Sequence, residues 1–193
     1  MSTWITDART FAAARESKEP EEARRAELGR QIVEAATSRR AEGSWCSAIR
    51  CSARAGRKAC IGWITVAQTE AGRVEWWCIA CEDQGVITGF ERTEIDLSSY
   101  VPRGKKVRMW GFDEEERAEL LAGTSHLPAM RAVVARASPS TEIKGFLMLQ
   151  ATLDEFDEVY TLVEHLTDMT RSRRKIELLD GLRASLCSVM DGF

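Results

Sequence analysis

Six cysteines stand at positions 46, 51, 60, 78, 81 and 187, and all but Cys187 fall between residues 46 and 81. The pattern richest in chemistry is Cys51-x8-Cys60-x17-Cys78-x2-Cys81. Zinc asks for four soft ligands at the corners of a tetrahedron, about 2.3 Å from each sulfur. A Cys-x2-Cys pair on a tight turn supplies two corners, and a second pair from a neighbouring loop closes the site. Trp77-Cys78-Ile79-Ala80-Cys81-Glu82-Asp83-Gln84-Gly85 reads as such a turn, between a strand ending in Trp76-Trp77 and another starting at Val86. The stretch separating the two pairs fits two knuckles meeting across a sheet. Cys46 is an alternative first ligand, giving Cys46-x13-Cys60, while Cys187 stands apart in a C-terminal helical pattern. The N-terminal residues lack the basic-then-apolar layout of a secretory signal. A reducing cytoplasm is therefore the expected compartment, where clustered cysteines are more often metal ligands than disulfides. Four thiolates leave no open position for water, so the expected metal is a structural zinc held by Cys51, Cys60, Cys78 and Cys81. The competing reading is a set of reduced cysteines buried in a β core, a common fate of free thiols.

Around these residues the chain resembles the zinc-ribbon superfamily, and more narrowly a group of uncharacterised bacterial proteins with the pattern Pro-Cys-x-Gly … Trp-x-Cys-x-x-Cys-x-Asp-x-Gly. The matching residues are Cys60, Gly62, Trp76, Cys78, Cys81, Asp83 and Gly85, within a stretch of residues 45–97. The resemblance implies a structural zinc and a small β-sheet, with Cys78 and Cys81 as the firmest ligands. It implies no activity. The first half departs from the usual ribbon, whose knuckles are both Cys-x2-Cys.

Two other chemistries compete with this one. Trp77-Cys78-Ile79-Ala80-Cys81 also resembles the thioredoxin active site. That chemistry needs the first cysteine at a helix N-terminus, where the macrodipole lowers its pKa. Here Glu82-Asp83-Gln84-Gly85 and the β-type run Val86-Ile87-Thr88 follow instead. The second is nucleic-acid binding through the basic stretch Arg50, Arg54, Arg57 and Lys58, beside tryptophans that can stack bases. Acidic residues crowd the next stretch (Glu70, Glu75, Glu82, Asp83, Glu91, Glu94, Asp96), so a basic loop folded over acidic strands of the same module is preferred. No Gly-x-Ser-x-Gly, phosphate-binding glycine loop, His-Glu-x-x-His or dinucleotide fingerprint occurs. His126 and His165 lack motif partners, and the acidic runs at 113–116 and 154–158 read as helix N-termini.

The elements that must position the cysteines follow from length and pattern. The chain has 193 residues, 44% hydrophobic and 30% charged, with a net charge of −3. That is an ordinary globular balance with no global pull toward nucleic acid. No run of about 18 apolar residues occurs, so no membrane span is expected. Residues 1–18 show no pattern and are expected to pack loosely. Residues 20–41 read as an exposed amphipathic helix with Pro20 in its first turn and Leu28, Ile32, Val33 and Ala36 on its apolar side. From 43 the pattern becomes β-rich and glycine-punctuated, with strands near 60–68, 73–79 and 85–92 and a turn at Glu70-Ala71-Gly72. Residues 92–104 read as a linker. Beyond it come a strand at 105–112, a helix capped by Asp113 and Glu116 and ended by Gly123, strands at 130–137 and 143–151, a helix capped by Thr152 and Glu155, and a last helix from Ser172.

The fold expected is therefore α+β. A segment with an amphipathic helix (1–42) precedes a small antiparallel zinc-ribbon-like module (43–97), and an α+β segment ending in a helix pair (105–193) follows. The function expected is that of a non-enzymatic, bacterial-type cytoplasmic protein acting as a binding or assembly module for a protein partner, with a structural zinc. The alternative is a nucleic-acid-binding zinc-ribbon regulator working through Arg50, Arg54, Arg57 and Lys58.

Overall fold

The computed structural model describes residues 3–39, 43–55, 58–69, 72–100 and 108–191. The chain is α+β and divides into two compact units, Met1–Val101 and Pro102–Phe193. The segments 1–42 and 43–97 fall together in the first unit, because the N-terminal helices pack on the sheet.

In the first unit β1 (Thr3–Asp7) leads through a 3-10 turn into α1 (Phe11–Arg15) and α2 (Pro20–Thr37). Then follow β2 (Ser44–Arg50), the short pair β3 (Arg54–Ala55) and β4 (Lys58–Ala59), β5 (Trp63–Thr69), β6 (Arg73–Cys78) and β7 (Gln84–Thr88). The main sheet runs β1-β7-β6-β5-β2. Its β2, β5, β6 and β7 are antiparallel as expected, but β1 joins β7 in parallel, so the sheet is mixed rather than antiparallel. Residues 3–7 are thus a strand and not a loose end. Trp4 extends a cross-strand row that runs Trp45, Val66, Trp76, Gly85, Trp4. Glycine is required at 85: a Cβ there would lie 2.6 Å from Trp76 Nε1 and 2.9 Å from the Trp4 carbonyl, so the indole crosses β7 only because nothing stands in its way.

α2 is less exposed than its sparse apolar pattern suggests. Pro20 occupies its first turn with Glu21 and Glu22, but its C-terminal half is buried, with Ile32, Val33, Ala35 and Ala36 in one cluster with Ile64, Val66 and Trp76. Arg30 of this helix is buried between Glu27 and Glu34 and hydrogen-bonds both. A buried guanidinium is tolerated because its donors are paired with carboxylates. The expected linker begins as packed chain: Ile95 and Leu97 are buried, and the Leu97 amide donates to Thr37 Oγ1 at 3.0 Å. Residues 101–104 of that linker lie outside the described residues, as do residues 105–107 of the strand expected at 105–112 and Glu70 and Ala71 of the expected turn. Gly72 has φ +66°, a conformation that favours glycine.

The second unit contains β8 (Arg108–Asp113), α3 (Glu114–Gly123), α4 (Pro128–Ala135), β9 (Ser138–Pro139), β10 (Phe146–Ala151), α5 (Leu153–Met169) and α6 (Arg173–Asp191). Its antiparallel sheet runs β8-β10-β9. Both capping boxes form: Asp113 with Glu116, and Thr152 with Glu155. The strand expected at 130–137 is instead α4 over most of its length. A short apolar run such as Ala132-Val133-Val134-Ala135 does not declare its period, and Pro128 in the first turn starts a helix. Gly123 ends α3 for packing rather than conformation, since a Cβ there would lie 2.7 Å from Leu166 of α5. The core is built on Trp110, Phe112, Phe156, Leu179 and Leu182. Trp110 meets Phe156 edge-on with ring centroids 6.1 Å apart.

Candidate metal centre

Cys51, Cys60, Cys78 and Cys81 come from three connections at one end of the main sheet, and their sulfurs all lie within 4.8 Å of one another. Cys51 directly follows β2, past an irregularity between Cys46 and Arg50, and is buried. Cys60 stands between β4 and β5, Cys78 is the last residue of β6, and Cys81 lies in the turn to β7.

The long Cys51-x8-Cys60 spacing is closed by local hydrogen bonding. β3 and β4 pair Arg54 with Ala59 and Ala55 with Lys58, folding the intervening chain into a ribbon. The Cys60 amide donates to the Ala53 carbonyl and the Cys51 amide to the Gly62 carbonyl, each at 2.9 Å. The two cysteines are thereby brought together as a Cys-x2-Cys turn would bring them. Each then receives an amide from two residues on: Ala53 N–H donates to Cys51 Sγ at 3.4 Å, and Gly62 N–H to Cys60 Sγ at 3.3 Å. Sequence reasoning did not find this hairpin. Its signal in the sequence was a glycine, at position 56, midway between two cysteines.

The second knuckle is the expected turn. Cys78 N–H donates to the Asp83 carbonyl at 2.8 Å and Glu82 N–H to the Cys78 carbonyl at 2.9 Å. Glu82 takes a left-handed conformation with φ 58°. The strand β7 follows this turn, so no helix dipole points at Cys78, which is also only 1% exposed. Gly62 joins the two knuckles. A Cβ on it would lie 2.5 Å from Cys78 Sγ and 2.6 Å from Ala80 Cβ, so the sulfurs converge only because this position has no side chain.

The sulfurs fit a tetrahedral ion. Ligands about 2.3 Å from a common centre stand about 3.8 Å apart along each tetrahedral edge. Cys51 and Cys81 are 3.6 Å apart, Cys60 and Cys78 3.7 Å, and these are two opposite edges. The environment treats the thiols differently. Burial pushes the Cys51 and Cys81 thiols above their ordinary range, while the Gly62 amide holds Cys60 below it.

Cys46 sits in β2 opposite Thr65, outside this cluster, and burial raises its thiol pKa. Cys187 lies in α6. Among the basic residues named from sequence, Arg50 stacks over Trp63 with its guanidinium carbon 3.6 Å from the ring centroid and donates to the Ile61 carbonyl at 2.9 Å. Lys58 is exposed on β4 and Arg54 belongs to β3; Arg57 lies outside the described residues. His126 and His165 are both exposed, in a loop and on α5.

Fold and site together define an α+β chain with a four-cysteine cluster able to hold a metal ion. Comparison with protein-family models, curated proteins and solved structures returned no match. Among the described residues no helix is long and apolar enough to cross a membrane.

Proposed function

We propose that Cys51, Cys60, Cys78 and Cys81 hold one structural zinc ion, and that the chain is a non-catalytic binding or assembly module of the cytoplasm. The observation that carries this reading is the convergence of the four sulfurs within 4.8 Å, with two opposite edges of near-tetrahedral length. All-sulfur ligation suits zinc, and four thiolates leave no coordination position for a substrate or an activated water. The resemblance to zinc ribbons points the same way. Bound zinc would tie the β3–β4 ribbon to the β6–β7 turn. A metal closing such loops adds its binding energy to folding.

A protein partner is favoured over nucleic acid. Arg50, the basic residue best placed beside an aromatic ring, is already engaged by Trp63 and the Ile61 carbonyl. Ile61 and Ile79, next to Cys60 and Cys78, are 85% and 78% exposed, which makes the knuckle tips apolar. Contact with phosphates would bring a steep salt dependence that an apolar contact lacks.

The test is elemental analysis of natively purified protein, followed by chelation. One zinc per chain, with the unfolding temperature lowered by chelator and restored by zinc, is the expected result. A chain that carries no metal and takes up none would overturn the reading. Retention on heparin that falls steeply with salt would shift the partner to nucleic acid.

A further inference from the structure

We infer that Cys81 is a thiol-modification site through which a hydroperoxide opens the metal centre, with Cys51 as the residue that resolves it. This rests on the metal reading above and adds what the site reacts with. The observation is an asymmetry of access within one cluster. Cys51 is 5% exposed and Cys78 1%, and Cys60 is half-buried, whereas Cys81 is exposed on its turn. Four metal-bound thiolates are all deprotonated, so access rather than protonation decides which of them meets an oxidant. Cys51 Sγ lies 3.6 Å from Cys81 Sγ, near enough for direct attack on an oxidised Cys81. Cys60 and Cys78 lie 3.7 Å apart in the same cluster.

The chemistry balances with peroxide as the oxidant. The Cys81 thiolate attacks a peroxide oxygen, the O–O bond breaks, hydroxide leaves, and Cys81 becomes a sulfenic acid. The Cys51 thiolate then attacks the Cys81 sulfur. An S–S bond forms, the S–O bond breaks, and a second hydroxide leaves. Two thiolates give up two electrons to one peroxide, and two protons from solvent convert the hydroxides to water. Zinc loses two of its four ligands and departs. Cys60 and Cys78 are left as the second pair, open to the same reaction with a further peroxide. A thiol reductant reverses each disulfide, and zinc can return. In a reducing compartment the ion then reports an oxidant by leaving.

The test uses the full chain loaded with zinc. Hydrogen peroxide is added while free zinc is followed with a chromogenic chelator, and disulfides are mapped without reduction by mass spectrometry. One zinc released per Cys51–Cys81 disulfide formed, reversed by dithiothreitol, is the expected result. The double variant Cys46→Ser/Cys187→Ser, which keeps the four clustered cysteines, should release zinc at a rate within about twofold of the parent, because the thiols it lacks lie off the oxidation route. Zinc retained under excess peroxide overturns the inference. So does release accompanied by a Cys78–Cys81 or Cys51–Cys60 disulfide, or release that the double variant abolishes. A chain that neither carries nor takes up zinc before peroxide is added overturns the metal reading and the release step with it. Disulfide mapping on that same sample still decides the Cys51–Cys81 pairing.

Discussion

Replacing Gly62 by alanine tests the site at its narrowest point. The added Cβ would stand 2.5 Å from Cys78 Sγ, 2.6 Å from Ala80 Cβ and 3.4 Å from Cys60 Sγ. Carbon–carbon and carbon–sulfur contacts are comfortable at roughly 3.5–4.0 Å, so two of these contacts must lengthen by about 1 Å. The Cys78 sulfur and the Ala80 backbone turn offer no long flexible side chain to swing aside. The β3–β4 ribbon and the β6–β7 turn must therefore separate. Overpacking of this kind costs about 1–3 kcal/mol. If the strain falls on the closed cluster, zinc affinity drops about 5- to 150-fold, since about 1.4 kcal/mol is a factor of ten. Competition against a chelator of known affinity reads this directly, and thermal unfolding in chelator reads whatever part of the strain falls on the fold itself. An alanine variant with parental zinc affinity and parental stability would refute the reasoning, because it would mean the knuckles do not close over position 62.

Other outcomes follow from single features. Cys51→Ser should lower bound zinc below one per chain while Cys46→Ser retains it, because Cys51 and not Cys46 stands among the clustered sulfurs; elemental analysis of the two variants decides this. Glu27 links acid sensitivity to α2. Burial would raise its pKa, but hydrogen bonds from Arg30 and Gln31 outweigh it and hold the carboxyl below 4.5. A depressed folded pKa stabilises the fold above the unfolded value and loses that contribution as pH falls through the folded one. Denaturant titrations should therefore show stability declining below about pH 4.5, with a shallower decline in Glu27→Gln. In α6, Gly181 has open space where a Cβ would stand. Gly181→Ala should stabilise the second unit by about 1 kcal/mol and raise its unfolding temperature by roughly 4–8 °C in calorimetry. Zinc content should not change.

Much of this protein is legible from neighbouring residues alone. The capping boxes at Asp113–Glu116 and Thr152–Glu155 are set by side chains reaching backbone three residues away, α2 starts where Pro20 fixes a first-turn φ, and the turn carrying Cys78 and Cys81 closes on local backbone hydrogen bonds. The alternation of β5 to β7 is likewise written in the chain, because one face of each strand must be apolar. The four clustered cysteines were identifiable by residue type and spacing, but the choice between Cys51 and Cys46 was not. That choice depends on an irregularity in β2 and on hydrogen bonds from Cys51 to Gly62 and from Cys60 to Ala53, which close a hairpin between segments whose separate sequences do not show their register. The parallel pairing of β1 was invisible for a related reason: Trp4 gains its place only from a row of residues contributed by four other strands. The burial of Arg30 depends on a sheet beneath α2 and on two carboxylates of the same helix. α4 shows the converse, a run of alanines and valines that suits either period until packing selects one. Local sequence sets turns, caps and ligand types because those interactions are short in range. Tertiary structure decides which thiol stands at the fourth corner and which charges are buried, since those depend on chain segments tens of residues apart.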